Sequence, residues 1–151
     1  NKKVKLYQPL NFKLEYKEIL KGTKPDLIIV CAYGKILPKD FIDFPKFKSL
    51  NIHASLLPSL RGATPIQSAV LKRLSKTGVT LQVMSEKMDE GDIIAQKEIE
   101  IDNTTITTPE LFDILTKLTF DLLDDSLDLY LKKEIINIIL ISQINKFKIF
   151  K

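Results

Sequence analysis

The positions of the apolar residues divide the chain into alternating strand-like and helix-like segments. The continuous apolar run from Leu27 to Cys31 is typical of a parallel strand that is buried on both faces. A second short strand is predicted from Lys48 to Ile52. Apolar and polar residues alternate from Gly78 to Met84, which indicates a half-buried strand, and a further strand-like run extends from Ile93 to Ile101.

Helix-like segments lie between these runs. Phe12 to Leu20 has weak helical character, and Pro38 to Phe44 predicts a short helix. The segment Thr64-Pro65-Ile66-Gln67 has the pattern of a capping box, with proline in the first turn, and predicts a helix that ends near Leu74. A last helix begins near position 107 or 108, with one apolar face over about three turns that indicates contact with a core. Together these segments predict an α/β fold.

Composition and charge change this picture little. The chain has 151 residues, of which 44% are hydrophobic, and this is enough for one domain with a core. A net charge of +4 is compatible with an RNA partner but does not show one. Of the 23 lysines and arginines only Arg61 and Arg73 are arginines, a lysine bias that resembles that of AT-rich genomes. Against this background, Arg61 suggests a need for a planar and permanently charged donor.

The sequence contains no signal for membrane insertion, secretion or a metal cluster. Its longest apolar runs fall short of the roughly eighteen residues that a membrane helix needs, and a signal-peptide pattern is absent. The single cysteine, Cys31, cannot form a disulfide within the chain and is predicted to be a buried strand residue. We therefore expect a cytoplasmic location.

The only histidine, His53, stands at the end of a predicted strand with an amide side chain two positions before it. Because side chains alternate along a strand, Asn51 and His53 share one face. Open α/β folds place their reaction sites at such strand ends. An amide and an imidazole can both donate hydrogen bonds to a developing oxyanion, which suits attack on a carbonyl by a nucleophile that the substrate brings.

This pair needs a carboxylate to orient the imidazole or to accept the proton of the nucleophile. The loop between the last two predicted strands contains Asp89, Glu90 and Asp92. Spacing alone leaves the choice among these three residues open.

Four motifs of the sequence point to one family. They are Asn51-Ile52-His53 followed by Ser55-Leu56-Leu57-Pro58, then Arg61-Gly62-Ala63-Thr64-Pro65-Ile66-Gln67, Met88-Asp89-Glu90-Gly91-Asp92-Ile93, and Ala32-Tyr33-Gly34-Lys35-Ile36-Leu37-Pro38. Together they resemble the 10-formyltetrahydrofolate-dependent formyltransferases. The second motif resembles the branch that acts on charged tRNA more closely than the purine-pathway branch. In the family's acidic loop the aspartate directly after the apolar residue is catalytic, which implies Asp89.

The resemblance implies a Rossmann-like catalytic domain, with a mostly parallel sheet flanked by helices, that transfers a formyl group from 10-formyltetrahydrofolate to the α-amino group of methionyl-initiator tRNA. It implies that Asn51, His53 and Asp89 are catalytic. The residues implied to bind folate are Ser55, Leu56, Leu57, Pro58, Gly34, Lys35, Ile36 and Leu37. Those implied to contact the tRNA are Arg61, Gly62 and Pro65. The resemblance further implies a monomer without a metal ion.

The resemblance extends from about Lys5 to about Tyr130. We therefore expect residues 1–133 to form part of the catalytic domain, and 134–151 to be an unmatched tail rich in isoleucine and lysine. The family's first strands and its C-terminal tRNA-gripping domain are expected to be missing, which predicts an exposed sheet edge and marginal stability. Two alternatives remain. One is a formyltransferase acting on glycinamide ribonucleotide or an amino sugar, and the other is an inactive remnant.

Overall fold

The fold is an open five-stranded sheet with helices on both faces, which confirms the predicted α/β class. The computed structural model describes residues 10–132 and the backbone of residues 138–142. The elements in chain order are helix α1 (Phe12–Thr23), strand β1 (Leu27–Cys31), helix α2 (Lys39–Ile42), strand β2 (Ser49–His53), helix α3 (Pro65–Leu71), strand β3 (Lys76–Val83), strand β4 (Ile93–Glu100), helix α4 (Thr108–Leu131) and strand β5 (Ile138–Ser142).

The sheet has the strand order β4-β3-β2-β1-β5 and is mixed. Strand β1 pairs in parallel with both β2 and β5, whereas β3 is antiparallel to both β2 and β4. Four of the five strands therefore run in the same direction, and β3 alone runs the other way. The predicted mostly parallel sheet is confirmed in this sense.

Strand β1 is buried on both faces, which explains its continuous apolar run. Leu27, Ile29 and Cys31 belong to one hydrophobic core, together with residues of α3 and α4. Ile28 and Val30 belong to a second core on the opposite face, with residues of α1 and α2. Because alternate side chains of a strand point to opposite faces, each core takes every second residue of β1.

The two helices that cover the first core begin differently. Helix α4 starts with a complete capping box, in which the Thr107 hydroxyl accepts from the Glu110 backbone N–H and the Glu110 carboxylate accepts from the Thr107 backbone N–H. Helix α3 starts at Pro65 as predicted, but the predicted capping box is wrong because the Thr64 side chain makes no capping hydrogen bond. Gln67 instead lines a cavity described below.

Two helix ends also differ from the prediction. Helix α3 ends at Leu71 rather than near Leu74, because Arg73 takes a left-handed conformation with a φ of 48° that turns the chain toward β3. Helix α4 continues to Leu131, well beyond the three turns of its clearest apolar stripe. Neither end is marked by glycine or proline in the sequence.

Strand β5 comes from the segment that the sequence left without an element. Its backbone pairs with the whole of β1, from Leu27 opposite Ile138 to Cys31 opposite Ser142. The edge of β1 that the sequence predicts to be exposed is therefore covered. The remaining tail positions, 133–137 and 143–151, and positions 1–9 lie outside the described residues, so the predicted boundary at 133 stays a prediction. Within the described part of the chain, no helix combines the length and the apolar character that crossing a membrane requires.

We expect the core face of α4 to dominate the stability of the described domain. Replacing Leu111, which is fully buried, by alanine should lower the free energy of unfolding by about 2–5 kcal/mol, because it leaves a cavity in the first core. Leu129 lies on the same helix with 79% of its surface exposed. Leu129→Ala should therefore change the free energy of unfolding by less than about 0.5 kcal/mol. Urea unfolding of both variants measures the difference, and equal effects would contradict this assignment of the core.

Candidate active site

A cavity of about 720 Å³ opens beside the carboxyl ends of β1 and β2. Its walls come from the loop after β1, from β2, from the first turn of α3, from α4 and from the loop that joins β3 to β4. This volume lies within the range of small-molecule sites. Asn51, His53 and Asp89 all line it.

His53 is held by acceptors on both ring nitrogens. Its Nε2 lies 2.9 Å from the Leu60 carbonyl oxygen, and its Nδ1 lies 3.5 Å from Oδ1 of Asp89. Because a carbonyl can only accept, Nε2 carries a hydrogen and donates it. Nδ1 faces the carboxylate across this longer contact.

The Asp89 carboxylate is the centre of this cluster. Its side chain is only 8% exposed. The Gly62 backbone N–H donates to Oδ2 over 2.8 Å, while Oδ1 accepts from Gln82 Nε2 at 3.2 Å and from Asn51 Nδ2 at 3.5 Å. Three N–H donors and an imidazole therefore surround a carboxylate that is largely withdrawn from water.

Backbone conformations that side chains rarely adopt create these contacts. Gly62 has a φ of +105°, and Asp89 itself has a φ of 53°. A Cβ atom at Gly91 would collide with the Val83 carbonyl oxygen, so the end of the acidic loop can pass that close to β3 only with glycine. The loop is closed by the hydrogen bond from the Val83 N–H to the Asp92 carbonyl, at 2.9 Å.

The predicted folate-side residues fall into two groups. Gly34, Lys35, Ile36 and Leu37 all line the cavity, and Ile36 is 84% exposed. In the described part of the chain, the cavity lining does not include Ser55, Leu56, Leu57 or Pro58.

A buried hydrogen-bond network accounts for the placement of this second group. The Ser55 hydroxyl donates to the Ser59 carbonyl at 2.6 Å, within its own loop. The Thr80 hydroxyl of β3 donates to the Ser55 carbonyl at 2.6 Å and accepts from the Leu57 N–H at 3.1 Å. Gln96 of β4 donates to the Leu57 carbonyl at 2.8 Å. The segment therefore fixes the loop that leads from His53 to Gly62, and any contact of its side chains with folate stays a prediction.

The predicted tRNA-side residues are also divided. Gly62 and Pro65 line the cavity, whereas Arg61 lies outside it. The guanidinium of Arg61 is about half exposed and lies 3.6 Å from the Glu90 carboxylate. Arg61 is thus available at the surface next to the acidic loop.

Sequence reasoning missed Gln82 and Thr80. Their alternation with Val79 and Leu81 indicated a half-buried strand with polar residues in water. That interpretation of β3 is wrong, because Thr80 is fully buried and Gln82 is 2% exposed. Only the antiparallel pairing of β3 with β2 reveals that both residues belong to the site. This pairing sets Gln82 opposite Asn51 and Thr80 opposite His53.

The one thiol among the described residues, that of Cys31, is not an activated nucleophile. Burial raises the pKa of the Cys31 thiol to about 11, so this group, which also lines the cavity, is uncharged at neutral pH. Among residues 10–132, no three His, Cys, Asp or Glu side chains lie close enough to hold a metal ion. The arrangement can hold a carbonyl compound, donate to its oxygen through Asn51 and accept a proton at Asp89.

Comparison with known proteins supports a common origin for this site. The sequence profile of a family described as formyl transferase matches residues 2–122. A methionyl-tRNA formyltransferase of Fusobacterium nucleatum subsp. nucleatum is 43% identical over 133 residues, which cover 87% of this chain and 43% of that protein. One from Bacillus cytotoxicus is 42% identical over 128 residues, covering 83% and 40% respectively. The chain thus spans less than half the length of these curated relatives.

A solved structure shares the fold. The glycinamide ribonucleotide transformylase 1 of Geobacillus kaustophilus superposes with a TM-score of 0.64 at 30% identity, over 73% of this chain and 58% of that one.

The contacts of His53 predict its protonation pattern. We expect Nε2 to carry a hydrogen at neutral pH, because the Leu60 carbonyl that it faces has no hydrogen to give. Because His53 is the only histidine, all imidazole signals in long-range ¹H–¹⁵N correlation spectra of the ¹⁵N-labelled chain belong to it, and no further assignment is needed. A neutral ring with its hydrogen on Nδ1 would contradict this geometry.

Gly62 is expected to be a strained position for any other residue. Gly62→Ala should lower the free energy of unfolding by about 1–3 kcal/mol, since an alanine Cβ disfavours a φ of +105°. The matched control is Gly22→Ala, within α1 where a Cβ meets open space, which should stabilise the chain by about 0.5–1 kcal/mol. Urea unfolding gives both values, and a loss of stability at Gly22 alone would refute the assignment.

Proposed function

This chain belongs to the formyl transferase family, and from this membership and the geometry of its cavity we propose that it is part of an enzyme that formylates methionyl-initiator tRNA. The formyl donor in this proposal is 10-formyltetrahydrofolate. The observation that carries it is the Asp89 carboxylate, held at the cavity by donors from Gly62, Gln82 and Asn51 beside His53. The enzyme is proposed to act as a monomer in the cytoplasm, without a metal ion.

The protein must supply a proton acceptor for this reaction, because the substrate's α-amino group is the nucleophile. An α-amino group has a pKa of about 8 and is mostly protonated at neutral pH. In the proposed step, the amine nitrogen forms a bond to the formyl carbon while the carbonyl electron pair moves to oxygen. Asp89 accepts the proton that the amine releases. The oxyanion electron pair then re-forms the carbonyl as the bond from the formyl carbon to N10 of the folate breaks, and N10 takes up the proton that Asp89 accepted.

The oxyanion is stabilised by Asn51, with His53 beside it. The Asn51 amide carries two N–H groups, of which one is directed to Asp89 over a long 3.5 Å contact, so the other can donate to the formyl oxygen. Both ring nitrogens of His53 already face acceptors in this structure. Direct donation by His53 therefore requires one of these contacts to be exchanged for the oxyanion.

The loop that follows β1 is proposed to hold the folate. Gly34, Lys35, Ile36 and Leu37 form one wall of the cavity, and the exposed Ile36 offers an apolar surface to a flat ring. Ser55 to Pro58 would then act on the folate indirectly, by fixing the loop between His53 and Gly62. Arg61 is proposed to contact the tRNA, because its exposed guanidinium suits a phosphate or a carbonyl oxygen.

The similarity to glycinamide ribonucleotide transformylase gives a second acceptor to test. Identity to the tRNA enzymes reaches 43% and identity to this purine enzyme is 30%. The tRNA substrate is therefore the proposed one, and glycinamide ribonucleotide is the competing acceptor in the assay below.

The activity test uses the complete 151-residue chain with 10-formyltetrahydrofolate and either charged initiator tRNA or glycinamide ribonucleotide. We expect formylation of the tRNA, and loss of about 10²–10⁴-fold in kcat for Asp89→Asn, because the proton acceptor is removed. Asp92→Asn is the matched control, since Asp92 lies in the same loop with its side chain exposed. Transfer only to glycinamide ribonucleotide, or to neither acceptor, would overturn the proposed function of this chain.

A further inference from the structure

Gln82 is the one nearly buried amide of the cavity that no sequence motif includes. It lies on β3 directly opposite Asn51, so the two amide side chains share one face of the sheet. Its exposed fraction is 2%, and its Nε2 donates to Asp89 Oδ1 at 3.2 Å. Rotation of the amide would bring Oε1 against the carboxylate and replace attraction by repulsion, so the orientation follows from chemistry.

The carbonyl oxygen of the Gln82 amide is not stabilised by its surroundings among the described residues. Among the described residues, Oε1 of Gln82 is buried and has no hydrogen-bond partner. Its neighbours along the strand, Leu81 and Val83, are apolar, and Leu81 is fully buried. A methionine would fill the same space without leaving a buried acceptor unpaired. A residue selected for stability alone would therefore not be glutamine here.

The two oxygens of Asp89 are not equivalent. Oδ1 accepts from Gln82 Nε2 at 3.2 Å and also faces Asn51 Nδ2 and His53 Nδ1, each at 3.5 Å. Among the described residues, Oδ2 accepts from the Gly62 N–H alone, at 2.8 Å. Since a carboxylate oxygen has two lone pairs, Oδ2 keeps one available, whereas Oδ1 is crowded by three nitrogens.

We propose that Gln82 is a positioning residue, which fixes the Asp89 carboxylate so that Oδ2 is the oxygen that accepts the proton. The proposal rests on the proposed role of Asp89 and adds to it the orientation of the carboxylate and the residue that maintains it. Gln82 acts through Asp89 and through the imidazole that Asp89 contacts.

The test compares Gln82→Met and Gln82→Asn with Thr77→Val, in the complete chain. Gln82→Met keeps the volume and removes the amide, and Gln82→Asn keeps the amide but withdraws it from Asp89. Thr77 lies on the same strand, is 2% exposed, and also has an unpaired buried oxygen, but it does not line the cavity. Thr77→Val therefore removes a buried unpaired polar atom without touching the site.

The readout is the ring ¹⁵N and ¹H shifts of the single histidine, recorded with the backbone amide spectrum. We expect both Gln82 variants to move the His53 ring signals and the amides of the 85–91 loop, and Thr77→Val to leave them at their wild-type positions. Unchanged His53 signals in Gln82→Met would overturn the proposal. Amide changes spread evenly over the sheet would also overturn it, because they indicate a structural role. If Gln82→Met does not fold, Gln82→Asn decides by the same criteria.

Kinetics separates this proposal from the proposed function. Where the wild-type chain transfers formyl groups, Gln82→Met should lower kcat by up to about a hundredfold, as for a displaced catalytic group, with the KM for the folate unchanged. A kcat of Gln82→Met equal to that of the wild-type chain would refute the role of Gln82 but not the proposed formyl transfer. A wild-type chain without transferase activity would refute the function, while the His53 signals still decide whether Gln82 positions Asp89.

Discussion

The arrangement of the cavity depends on supplying hydrogen-bond donors to one carboxylate that is almost withdrawn from water. A buried carboxylate without hydrogen-bond donors is strongly destabilising, and Asp89 finds its donors on three separate segments: β2, β3 and the loop after β2. The antiparallel register that sets Asn51 opposite Gln82 supplies two of them from neighbouring strands. The third requires the chain to turn at Gly62 with a positive φ. Strand register and loop conformation are thus both constrained by one side chain.

The location of this cluster follows from how the sheet is covered. On the face where Ile28 and Val30 meet α1 and α2, the apolar core involves β1 but little of β2 and β3. There the same face carries Asn51, His53 and Gln82, and the acidic loop lies against it. A loop with polar groups can satisfy amide and imidazole side chains, whereas a helix with an apolar stripe would bury them without partners. Among the described residues, the site therefore lies beside the part of this face that α1 and α2 leave uncovered.

Local patterns predicted the elements well but predicted their ends and some polar contacts poorly. The run Leu27 to Cys31 identified β1 because burial on both faces demands apolar residues at every position. Asn51 and His53 could be paired from strand alternation alone, and the resemblance selected Asp89 among three acids. Gln82 was missed because a polar residue in an alternating strand is ordinarily solvated, and only the pairing partner reveals otherwise. The left-handed conformation of Arg73 depends on distant parts of the fold, and the sequence does not mark it.

The pairing of β5 with β1 has a consequence for the order in which the molecule assembles. Leu27, near the start of the described chain, hydrogen-bonds in register with Ile138, near its end. A contact between such distant positions carries a large loop-closure entropy, and topologies rich in such contacts fold slowly. Among the described residues, β1 therefore gains β5 as its neighbour only after the segment that forms β5 has left the ribosome. An unpaired edge of β1 is a template for strands of other chains, so intermolecular pairing competes with its closure by β5.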